Sequence, residues 1–113
     1  MDNKSKILDI AMNLNRIGNW AADGYNLKRE RIKTFLNSTT QYVQDLEKAS
    51  LPPKFRNTFD LFLKNYKILE KVGIEGPADP DKWAEDMMTW GNILTHRSNL
   101  LEASRIPRFL NRG

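Results

Sequence analysis

The sequence predicts an all-α protein, an antiparallel (up-down-up-down) four-helix bundle with a short basic C-terminal tail, and three observations predict it. Four stretches repeat apolar residues at alternating intervals of three and four, the pattern of a helix that buries one narrow stripe. Proline, glycine and aspartate punctuate the chain between those stretches. No comparable stretch keeps the period-two alternation of a half-buried strand.

The first stripe is Ile7, Ile10, Leu14, Ile17 and Ala21, giving a helix over about 5–23. Asp23-Gly24 ends it, and Asn26 is placed to cap a second helix over about 26–49. That helix carries Ile32, Phe35, Thr39, Tyr42 and Leu46, with Leu36 and Val43 widening the stripe. Leu51-Pro52-Pro53 forbids continuation, because proline lacks the amide donor and restricts the residue before it. Pro53 opens a third helix over about 53–72, with Phe55, Phe59, Phe62, Tyr66 and Leu69 inward and Gly73 as its stop. Asp79 then caps a fourth helix, with Pro80 at its first position and a stripe of Trp83, Met87, Trp90, Leu94, Arg97 and Leu101 up to about residue 104. Expected core positions are Ile10, Leu14, Phe35, Tyr42, Phe59, Phe62, Trp90 and Leu94. Pro107 should break the fourth helix, which divides the chain into a bundle over 1–104 and a basic tail over 105–113. The helices are each about 30 Å long at ~1.5 Å per residue, and the short links favour antiparallel neighbours.

At 113 residues there is room for one core and one domain. No apolar run nears the roughly 20 residues that span a bilayer, so no membrane partner is expected. With no cysteine the chain has neither disulfides nor thiolate chemistry, which suits a reducing compartment, and the expected location is cytoplasmic.

A four-helix bundle invites a di-iron carboxylate site, but that needs Glu-x-x-His pairs. The single histidine is His96, and Ile93 stands three residues before it. There is no Gly-rich phosphate loop, no Gly-x-Ser-x-Gly elbow and no His-Glu-x-x-His. Met12, Met87 and Met88 read as core filler rather than haem ligands, and His96 as a structural or solvated side chain. Trp20, Tyr25 and Trp83 fall near one bundle end and read as its plug. The expectation is a non-enzyme with no cofactor and no metal.

Arg97 stands where its stripe calls for an apolar residue. Either the stripe ends at Leu94, or the guanidinium is buried and paired, with Asp9, Asp45 and Asp60 near the same end in an antiparallel bundle.

Charge supplies the functional expectation. Residues 1–34 hold seven basic and four acidic side chains, 35–95 seven and nine, and 96–113 four and one, so both ends of the chain are cationic and the middle is not. In the expected topology the start of helix 1, the helix 2–3 link and the tail converge, gathering Lys4, Lys6, Lys48, Lys54, Arg56, Arg105, Arg108 and Arg112. The opposite end mixes Lys28, Arg29, Arg31 and Lys33 with Glu75, Asp79, Asp81, Glu85 and Asp86. The expected partner is therefore acidic, nucleic acid first. The alternative is a protein-binding adaptor or a homo-oligomer using a second apolar face of helix 3, where Leu61, Ile68 and Val72 lie off the main stripe. In architecture alone the chain resembles the small basic helical bundles that serve as non-catalytic accessory subunits of nucleoprotein machines, such as CRISPR effector small subunits and retroelement variability accessory proteins. That likeness transfers no sites.

Overall fold

The computed structural model describes residues 3–46 and 50–112, with side chains described for 3–46 and 50–100. It contains α1 (Asn3–Gly24), α2 (Arg29–Asp45), α3 (Pro53–Glu75) and α4 (Pro80–Arg112), and no strand among the described residues. The four helices pack as a bundle around one core to which all of them contribute.

The α1 stripe is buried as its spacing predicts: Ile7, Ile10, Leu14 and Ile17 are wholly inaccessible and Ala21 nearly so. In α3, Phe55, Phe59, Phe62 and Tyr66 are buried in a continuous aromatic ladder, with successive ring centroids 6.3, 5.6 and 5.4 Å apart. Pro52 caps this helix and Pro53 opens it.

Several expectations are corrected. The α2 helix begins at Arg29, after a turn in which Lys28 N–H reaches the carbonyls of Gly24 and Tyr25 at 3.2 Å, and Asn26 does not cap it. Tyr25 is the cause: it is buried, and its hydroxyl donates to the Gly73 carbonyl, drawing the link onto the bundle before the helix can start. The buried face of α2 is Ile32, Leu36 and Thr39, so Tyr42, expected inside, is exposed and Phe35 is half-buried. Thr39 can enter the core because its hydroxyl donates to its own helix at the Phe35 carbonyl, 2.6 Å away.

Gly73 does not stop α3. The helix runs on to Glu75, and Gly76 ends it with φ 107°, the one positive φ among the described residues. Gly73 is a packing residue, since a Cβ there would lie 2.4 Å from Trp83 Cζ2 and 2.8 Å from Leu36 Cδ1. The α4 start is as expected, with Asp79 Oδ1 accepting Lys82 N–H at 3.1 Å.

The far end of α4 is the largest departure. Its helical backbone passes Pro107, where a break was expected, and reaches Arg112. A proline inside a helix forfeits its own amide bond, and this helix carries that loss without ending. With 33 residues α4 is about 50 Å long, against about 33 Å for the 22 residues of α1.

Candidate functional site

The helix seams differ in kind. Along α1 and α4 small residues let the backbones close together: a Cβ on Gly18 would lie 2.4 Å from Met88 Cγ and 2.9 Å from the Ala84 carbonyl oxygen, and one on Gly91 2.8 Å from the Asn15 side chain. The register falls on α4 as it rises on α1, so this pair runs antiparallel. Ala11 and Ala84 are fully buried.

Between α3 and α4 the contact is sparse and aromatic. Phe62 and Trp90 meet with centroids 5.6 Å apart, and their bulk holds the helices away from each other. Below them opens a groove of about 480 Å³ lined by Thr58 and Leu61 from α3 and by Trp90, Asn92, Ile93, His96 and Arg97 from α4. Leu61 is 55% exposed, and Ile68, two turns further along the same face, 65%. Leu100, which continues the Ile93–Arg97 line, is 45% exposed.

Arg97 is exposed on this groove, which corrects the buried-pair alternative. After Leu94 the inward stripe takes a step of four, so Ser98 and not Arg97 enters the core. Ser98 Oγ is buried without a hydrogen-bond partner among the described residues. A short hydroxyl fits where a guanidinium would strand a charge.

At the expected basic end, Asn3 Nδ2 donates to the Ser50 carbonyl and hydroxyl at 3.3 and 3.1 Å, so the start of α1 lies against the α2–α3 link. Lys4 and Lys6 are half-buried and Lys54 is exposed. Lys6 lines a recess of about 210 Å³ with Asp9, Tyr42 and Asp45, so acidic groups stand among the lysines. Arg56 is half-buried and ties the link down, its Nε donating to the Leu51 carbonyl at 3.0 Å. Lys48, and the side chains of Arg105, Arg108 and Arg112, lie outside the described residues.

The opposite end is a structural plug. Trp83 is buried with Nε1 donating to the Leu69 carbonyl at 2.9 Å, and Tyr25 meets its ring edge-on at 6.1 Å. Trp20 meets Phe35 the same way at 4.8 Å. The arginines here are used locally: Arg31 lies over the Trp20 ring, and Arg29 lies over Tyr25 and donates to the Glu75 carbonyl. The Lys28 ammonium, hydrogen-bonded to Asp23 at 2.6 Å, holds that carboxyl below its usual range.

The α2–α3 seam carries a polar clasp. Tyr66 is buried, its hydroxyl donating to the Leu36 carbonyl at 3.1 Å and lying 2.9 Å from Thr40 Oγ1, which donates to Glu70. Burial pushes the Tyr66 phenol well above its ordinary range; the Thr40 hydrogen bond opposes the shift and the Glu70 charge adds to it.

Among the described residues no group of three or more metal-ligating side chains is clustered, and no helix is long and apolar enough to cross a membrane. Comparison of the chain with protein-family models, curated proteins and solved structures found no match.

Proposed function

We propose that the chain is a non-catalytic binding or assembly module of the cytoplasm that engages an acidic partner, nucleic acid first, through its cationic bundle end and the arginine-bearing end of α4. One observation carries this reading. The α4 helix continues past the length of its neighbour α1, and on that continuation Arg105, Arg108 and Arg112 recur at intervals of three and four, the spacing of a single helix face. Residues at that spacing on a helix have Cβ atoms about 5–6 Å apart, so three arginines there would offer successive cations to a phosphate backbone. An up-down-up-down order would carry Lys4, Lys6 and Lys54 to the end from which this part of α4 leaves. The Asn3–Ser50 contact is consistent with that convergence.

The test replaces Arg105, Arg108 and Arg112 together by glutamine, which keeps helix propensity while removing charge. Binding to a mixed-sequence single-stranded or duplex oligonucleotide, titrated over a series of salt concentrations, should weaken in the triple variant. Its salt slope should shrink by up to about three phosphate contacts, with the melting temperature held. Wild-type protein that fails to bind at low salt, or binds with no salt dependence, would exclude the nucleic-acid reading.

A further inference from the structure

We propose that the groove between α3 and α4 is a subsite for an unpaired base of a single-stranded nucleic acid, with Arg97 and Lys54 taking the phosphates beside it. The inference rests on the nucleic-acid reading above and narrows it to single strands. The groove offers something to each surface of a base. Leu61, Ile93 and the half-buried Trp90 supply an apolar floor for its face, and Thr58, Asn92 and His96 supply donors and acceptors for its edge. Phe62 backs the Trp90 ring at 5.6 Å, so the floor is in place before anything binds.

Charge decides between a base carried on phosphate and an uncharged or cationic occupant. No carboxylate is among the residues that line the groove. At one end stand two cations. Arg97 is exposed and makes no hydrogen bond or ion pair among the described residues. Lys54, exposed and free in the same sense, heads the α3 row that continues through Thr58, Leu61, Asn65 and Ile68 at steps of four and three. Toward the other end the carboxylate on the Ile93–Arg97 line, Asp86, is neutralised by Lys82 at 2.7 Å. The groove is therefore apolar along its middle, neutral toward the start of α4 and cationic toward its end. That order suits a planar apolar group attached to anions on one side only.

The cationic end is also the one from which α4 continues. Positions 97 and 108 are eleven residues apart, three turns and about 20°, so Arg97 shares a helix face with Arg108 about 16 Å further along. A strand laid with its phosphates along the continuation reaches Arg97 with a base over the groove. A duplex keeps its bases paired and stacked, so it can use the arginines but not the apolar floor.

Binding of the full chain to a short oligothymidylate, to an abasic strand of the same length and to a duplex of that length tests this at low salt. The wild type should bind the oligothymidylate roughly fivefold or more tighter than the abasic strand, which has the same phosphates and no bases. Leu61→Gln with Ile93→Gln, which adds no charge, should bring those two affinities together and leave duplex binding unchanged. Arg97→Gln should reduce the salt slope for the single strand by about one phosphate contact. Equal wild-type affinity for the oligothymidylate and the abasic strand, or a preference that survives the double substitution, would overturn the base subsite and leave the nucleic-acid reading standing. Absence of binding to all three would overturn both.

Discussion

The seam between α1 and α4 and the seam between α3 and α4 share a helix but are built on opposite plans. Along the first, Gly18 and Gly91 let the backbones approach until a single added methyl has no room. Along the second, Phe62 and Trp90 act as spacers, so the helices stand apart and a groove remains. The difference lies in side-chain volume rather than hydrophobicity: small residues close a seam onto itself, and large ones bury their inner edges while leaving their outer edges to something else. The bundle therefore has one tightly packed seam and one that leaves a groove.

Breaking the open seam from within should have the largest effect. Phe62 is fully buried and touches Phe59, Tyr66 and Trp90 at once, so Phe62→Ala should cost about 3–5 kcal/mol in chemical denaturation. A loss below about 1 kcal/mol would mean Trp90 stays in place without it.

The closed seam should respond to addition rather than removal. Gly18→Ala gains about 1 kcal/mol of helix propensity, but the new Cβ meets the Ala84 carbonyl oxygen, a backbone atom that cannot rotate away. Overpacking of this kind costs about 1–3 kcal/mol, so the variant should be net destabilised despite being a better helix former. A variant more stable than the parent would show that the two backbones can separate.

A smaller effect, confined to alkaline solution, separates the α2–α3 clasp from both seams. The Tyr66 phenol is raised in the fold relative to an unfolded value of about 10, so its neutral form is favoured by folding. That contribution is complete below about pH 10 and is lost as pH rises above it. Denaturation midpoints should therefore fall above about pH 10, and Tyr66→Phe should flatten the fall. Some slope should remain from Tyr25, whose burial raises it too.

Periodicity made much of this fold legible, and residue volume explains where it misled. The α1 stripe and the α3 aromatic ladder were readable because each of their inward positions is large or unambiguously apolar. On α2 the stripe rotates: Thr39 hides its hydroxyl on its own helix, Leu36 takes the core, and Tyr42 turns to solvent. The same step of four moves Ser98 inward and Arg97 outward on α4. Spacing alone cannot distinguish a stripe that proceeds by three from one that proceeds by four when the residues on both sides are amphipathic. Gly73 was opaque for another reason: read in the sequence as the stop of α3, it marks a close approach that only the packed neighbour reveals. Of the basic residues, Arg29, Arg31 and Arg56 are occupied by rings and carbonyls, uses that a count of charge does not register. The second apolar face of α3 was visible as Leu61, Ile68 and Val72; its extension across Trp90 and Ile93 required knowing which helix stands beside it.

The most direct test of the two plans uses the absence of cysteine. Asn92 is exposed on the groove, while Gly91 beside it is buried, and a Cβ there would lie 2.8 Å from the Asn15 side chain. Asn92→Cys should leave the melting temperature within a few degrees of the parent and react with a thiol reagent in the native state. Gly91→Cys should lose about 1–3 kcal/mol to overpacking, and its thiol should stay protected until the bundle opens. Equal stability and equal reactivity at the two positions would contradict one closed and one open seam.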